Sequence, residues 1–139
     1  MTETREILFR GKRVDNGEWV EGFYINLGGQ YHYILSGKLD LTKGFPDFEK
    51  YQVDPATVSQ YIEINDASGY GIFEGDIVKI PSFTPSIMAI GFIEGAFCFV
   101  DKSGEFLADI HYIHHAGVNE SEVIGNRWDN PELLENAEQ

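Results

Sequence analysis

Apolar and polar positions alternate in short runs along most of this chain, and glycine, asparagine and aspartate punctuate the runs. From Glu6 to Ile25 the sequence reads EILFRGKRVDNGEWVEGFYI, two β-favouring runs around Asp15-Asn16-Gly17. Asn-Gly tolerates the positive φ angles of a tight turn, so this segment predicts a hairpin. In its second strand Trp19, Phe23 and Ile25 fall on one side, and Val20 and Tyr24 on the other. A third strand, YHYILS, follows Gly28-Gly29. The stretch from Gly37 to Lys50, GKLDLTKGFPDFEK, mixes turn formers with isolated Leu and Phe, and predicts a long excursion that could face a ligand.

In VDPATVSQYIEI, Asp54 is placed to cap a short helical turn with Pro55 at its first position. The β-branched and aromatic residues Val58, Tyr61, Ile62 and Ile64 then read as a strand. NDASGYG, Asn65 to Gly71, is a glycine-punctuated seam, and IFEGDIVKI after it predicts a further strand. PSFTPS is a proline-bounded loop, and IMAIGFIEGAFCFVD predicts a second hairpin turning at Glu94-Gly95. Phe97, Phe99 and Val100 put bulk on both faces, as in a small closed barrel buried on two sides. SEVIGNRW predicts a strand, and DNPELLENAEQ a short helix with Asn130 as cap, Pro131 at the first helical position, Glu132 in the first turn, and Leu133 and Leu134 turned to the core.

The pattern therefore predicts a mainly β protein: an N-terminal β meander over residues 1–66, and a small SH3-like barrel with a C-terminal helix over 67–139, within one domain of residues 1–139. The length of 139 residues fits one ordinary domain, and 42% hydrophobic residues suffice for a core. No stretch approaches the roughly 20 apolar residues of a membrane span, and the first residues lack the apolar core of a secretory signal. The expected location is the cytoplasm.

Net charge changes the functional picture more than composition does. At -13 the chain argues against phosphate recognition, which needs clustered Lys and Arg. Only Arg10 to Arg13, RGKR, is basic, and it reads as a solvated strand end near Glu18 and Glu21. Interleaved tyrosines could stack on single-stranded bases, but no basic groove accompanies them. The single cysteine, Cys98, allows no intrachain disulfide, and within AFCFV it reads as a buried, inert thiol.

Two constellations could carry chemistry. His111, His114 and His115 in HYIHH would share one face of a helix and could hold a metal, but on a strand they would divide between faces. Tyr112 and Ile113 favour the strand, and the Glu of the metalloprotease helix motif is missing. His32, between two tyrosines, reads as a strand residue. Glu74 and Asp76 would lie about 6–7 Å apart on one face if Ile72 to Ile80 is a single strand, close enough for a carboxylate pair. Gly75 between them instead suggests a bulge that turns them apart, leaving Asp76 to hold a turn by accepting backbone N–H groups. No glycine-rich phosphate loop or nucleophile motif is present, and no catalytic, cofactor-binding or metal residue is assigned.

Tyr51 to Ile80, with its EGDIV, and Glu122 to Glu135, EVIGNRWDNPELLE, resemble the YopX family of phage and prophage proteins, as do REILFRGKR and GEWVEGFYI near the start. The resemblance implies a small β-rich protein made in the cytoplasm of a bacterial host, and brings no catalytic residues. The expected activity is non-enzymatic: an interaction or assembly module for a host or phage protein, or a homo-oligomer, with no cofactor. The alternatives are an acidic DNA mimic that inhibits a host nucleic-acid-binding protein, and an enzyme using the carboxylates or the histidines.

Overall fold

A computed structural model describes residues 5–38, 47–110 and 120–135. Over these residues the chain forms eleven strands and one short helix, arranged as two antiparallel sheets. The strands are β1 (Phe9–Lys12), β2 (Trp19–Leu27), β3 (Tyr31–Lys38), β4 (Asp47–Gln52), β5 (Ser59–Asn65), β6 (Gly71–Phe73), β7 (Asp76–Lys79), β8 (Ile87–Ile93), β9 (Ala96–Val100), β10 (Phe106–Asp109) and β11 (Glu122–Asn126), followed by α1 (Glu132–Glu135). The first sheet has the order β4-β3-β2-β1-β5-β6 and the second β10-β9-β8-β7-β11. The chain divides into two compact units, residues 1–61 and 62–139. Among the described residues no helix is long and apolar enough to cross a membrane.

In the first unit, the turn at Asn16-Gly17 closes β1 on β2, with Gly17 at φ +73° and Asn16 Oδ1 accepting the Glu18 N–H. Asn26 Oδ1 accepts the Gly29 N–H to shape the turn into β3. The long excursion expected over Gly37 to Lys50 is shorter. Gly37 and Lys38 end β3, and Asp47 to Lys50 open β4, which pairs along β3 from Lys38↔Asp47 to Tyr33↔Gln52. Only residues 39–46 of that stretch lie outside the described residues. Asp54 caps the 3-10 turn Pro55–Thr57 as expected, its Oδ1 accepting the Ala56 N–H at 3.0 Å.

The second unit holds the larger core. Ile62, Ile72, Val78, Ile80, Met88, Ile90 and Phe99 form one cluster, and Ile77, Ala89, Cys98, Val100 and Leu134 another. Neighbours such as Ile77 and Val78, or Cys98 and Phe99, fall in different clusters, so β7, β8 and β9 are buried on both faces, as strand alternation requires. The expected barrel closure is absent among the described residues: β10 and β11 stand at the two edges of the second sheet. Glu94-Gly95 makes the β8–β9 turn, with φ of +52° and +84°.

The run GIFEGDIVKI is two strands rather than one. Phe73 ends β6 in the first sheet, and Asp76 opens β7 in the second. Gly75, at φ +87°, supplies the left-handed turn between them, a conformation that a residue with a Cβ enters at a cost.

Candidate functional site

The turn at Glu74-Gly75 is where the two family-like strings meet. The Gly75 carbonyl accepts the Arg127 N–H at 2.9 Å, and its N–H donates to the Ile90 carbonyl at 2.7 Å. β11 pairs with β7 so that Asn126 stands opposite Asp76. The ring of Trp128 lies over Gly75 so closely that a Cβ there would fall 2.5 Å from its Cζ3. Asn126 Oδ1 accepts the N–H groups of Trp128 and Asp129, which folds GNRWDN into a turn. Asn130 was expected to cap the helix with its side chain. Its Oδ1 instead accepts the Asn126 N–H at 3.2 Å, while its carbonyl accepts the Leu133 N–H.

For Asp76 the sequence offers a carboxylate pair with Glu74 or a turn held through backbone N–H groups. Asp76 is buried, and its Oδ2 accepts the Phe73 N–H at 2.8 Å across the turn, so its carboxylate serves the backbone. Asp66 has the same kind of role. Buried, it accepts the N–H groups of Ser68 and Tyr70 on Oδ1 and that of Val123 on Oδ2, tying the loop after β5 to β11.

The other sequence candidates are equally occupied. Arg10 and Lys12 sit over the Trp19 ring, at 4.7 and 5.5 Å from its centroid. Arg13 forms a two-pronged pair with Asp15, which holds that carboxyl below its ordinary range, and stacks over Tyr51. His32 is a strand residue. Its Nδ1 is 2.6 Å from the Tyr24 hydroxyl and its Nε2 is 3.2 Å from the Gly29 carbonyl. Cys98 is buried in the second unit, and burial pushes its thiol above the ordinary range, with the charge of Asp109 acting the same way. His111, His114 and His115 lie outside the described residues, among which no group of three His, Cys, Asp or Glu could hold a metal.

A surface feature emerges in the first unit that the sequence only half announces. Register pairs Phe23 with Leu35, Ile25 with Tyr33, and Leu27 with Tyr31, so these six side chains share one face of the β2–β3 ladder. Three of them are more than half exposed: Phe23 at 59%, Leu27 at 56% and Tyr31 at 52%. Tyr31 stacks on Tyr33, and the Lys50 ammonium lies 4.8 Å from the Tyr33 centroid. The opposite face is packed, with Ile34 fully buried and Tyr24 against Phe9 and His32.

Charge divides sharply between the units. Residues 1–61 carry seven Lys and Arg against nine Asp and Glu, whereas residues 62–139 carry three against fourteen. The formal charge is therefore -2 on the unit bearing the exposed apolar face and -11 on the other.

A family model described as YopX protein matches residues 8–135. No curated protein matches the chain. Among solved structures, the chain is similar to protein EF1440 from Enterococcus faecalis, with a TM-score of 0.60 and 23% identity over 94% of this chain and 99% of that one. At that identity the likeness concerns the fold.

Proposed function

This chain belongs to the YopX family, and from that membership we propose that it is a phage- or prophage-encoded protein acting in the cytoplasm of a bacterial host as a non-enzymatic assembly module, without a cofactor. The observation that carries this reading is the β2–β3 face, where Phe23, Leu27 and Tyr31 stand out from a packed sheet. Burying three such side chains, each about half exposed, would remove roughly 300 Å² of apolar surface per partner, the scale at which a patch marks an interaction site. That is below the roughly 800 Å² per partner of a standard stable interface, so the contact is a weak and reversible one.

The partner favoured by the charge distribution is a second copy of the chain. The face lies on the unit of formal charge -2, so two copies meeting there bring together their least repulsive parts. A photoreactive phenylalanine analogue at position 23 should crosslink one copy to another, giving an adduct of twice the chain mass. The same analogue at Glu132, on α1, should not. Equal crosslinking from the two positions would count against the face, and so would none from position 23.

The order β11-β7-β8-β9-β10 is a four-strand meander whose following strand returns to pair with the first, as in an SH3-like barrel. It supports reading the second unit as such a barrel, within one YopX-like domain. The concentration of acids in residues 62–139 favours one lesser reading, an acidic DNA mimic. Asp66 and Asp76 are already committed to backbone N–H groups. Competition with a DNA duplex for a host nuclease would reveal it.

A further inference from the structure

In the second unit, β8, β9, the turn after β9 and the segment from Arg127 to Glu135 surround a groove of about 520 Å³. Its floor is apolar, made by Ala89, Val100 and Leu134, which belong to one core cluster, with Ala89 paired to Val100 on the same face of the sheet. Trp128 forms a wall, with the Arg127 guanidinium carbon 4.7 Å from its ring centroid, and Lys102 lies at the rim. A volume between about 300 and 1,000 Å³, apolar lining and a few placed polar groups are what binding sites have in common.

The charges at this groove run against those of the unit around it. Residues 62–139 contain three basic residues, Lys79, Lys102 and Arg127, against fourteen acids, yet two of the three line this one groove, both exposed. Two carboxylates also line it. That of Asp101 accepts the N–H groups of Ser103 and Glu105, at 2.8 and 3.0 Å, and that of Glu135 sits on the exposed end of α1. A basic ligand would meet both of these cations here. An anionic one finds its two cations here, beside an apolar floor.

We infer that this groove binds an acidic peptide segment, which seats one leucine or phenylalanine side chain on the Ala89–Val100–Leu134 floor and sets a neighbouring carboxylate against Arg127 and Lys102. The site is separate from the β2–β3 face and does not depend on it. Arg127 supplies a planar fork for the carboxylate and Lys102 a point charge, so Arg127 contributes more to binding.

The chain has two tryptophans, Trp19 and Trp128, and their indole N–H resonances report separately on the two units. Three hexapeptides with blocked ends serve as probes at physiological salt: Glu-Glu-Leu-Phe-Glu-Glu, its Gly-Gly counterpart lacking the apolar pair, and Lys-Lys-Leu-Phe-Lys-Lys. The first should move the Trp128 resonance and leave that of Trp19 in place. Arg127→Gln should weaken this binding at least about fivefold and Lys102→Gln less, in line with exposed charge contacts of about 1 kcal/mol. Non-specific attraction to a chain of charge -13 would favour the lysine peptide, the opposite order. The inference is overturned if the acidic peptide leaves Trp128 unmoved, if either control moves it as strongly, or if Arg127→Gln binds as the parent does. Should Arg127→Gln fail to fold, Lys102→Gln decides: weaker binding supports the site and unchanged binding overturns it.

Discussion

Replacing Gly75 by alanine perturbs the turn that passes the chain from β6 to β7, and the structure says by how much. At φ +87° an alanine pays for the left-handed backbone, about 1–2 kcal/mol. Its Cβ would also lie 2.5 Å from Cζ3 of Trp128 and closer to Cη2, so the indole must swing away from the turn. Losing that aromatic packing adds about 1 kcal/mol. The expected destabilisation is therefore about 2–3 kcal/mol, measured by urea unfolding followed by circular dichroism. In a Trp128→Ala background nothing is left to displace, and the same substitution should cost only the backbone part, about 1–2 kcal/mol. The double-mutant cycle should then give a coupling energy of about 1 kcal/mol. A cost below about 0.5 kcal/mol in the parent, or an equal cost in both backgrounds, would refute the contact between these two motifs as the reason for glycine at 75.

Two further outcomes follow from the carboxylates and the thiol. Asp76→Ala, which strips the buried Phe73 N–H of its acceptor, should lower stability by about 2–3 kcal/mol, whereas Glu74→Gln should change it by less than about 1 kcal/mol; equal effects in urea titrations would contradict the assignment of Asp76 to the turn. Cys98 keeps its proton to higher pH in the folded chain than in the unfolded one, so it costs no stability below its unfolded value of about 8.5 and lowers stability as pH rises above that. Ellman's reagent at pH 8.5 should react slowly with the native protein and promptly in urea; prompt reaction with the native protein would contradict the burial.

The parts of the fold legible in the sequence are those fixed by neighbours along the chain. Asn16-Gly17, Glu94-Gly95 and Asp54-Pro55 each announce a local backbone conformation, and each adopts it. At Gly75 the sequence suggests a bulge with Asp76 holding a turn, and Asp76 does so; that the run is two strands in two sheets was hidden, because apolar residues continue on both sides and periodicity cannot show that Gly75 is left-handed. The opening of β4 was hidden for a different reason: Asp47 to Lys50 look polar and irregular, and become a strand by pairing with β3. Asn130 shows the limit of a local rule, since its side chain is drawn to the Asn126 N–H instead of the helix it precedes.

The candidate surfaces were legible only in part. Alternation places Phe23, Ile25 and Leu27 on one side of β2, but whether that side is covered depends on what packs against it, and alternation is silent about that. The pairing of Lys102 with Arg127 at one groove, and the uneven division of charge between the units, follow from the fold rather than from any motif.

The central claim is that the β2–β3 face joins two copies of the chain, and sedimentation velocity across protein concentration and salt tests it most directly. Apolar contact is not weakened by salt, and the repulsion between chains of charge -13 is screened by it, so raising the ionic strength from about 0.05 to about 0.5 M should strengthen association. The account predicts a reversible monomer–dimer equilibrium that tightens with salt and is lost on combining Phe23→Asp with Leu27→Asp. A chain that stays monomeric at every concentration and salt, or a dimer that salt dissociates and the double substitution leaves intact, would contradict it.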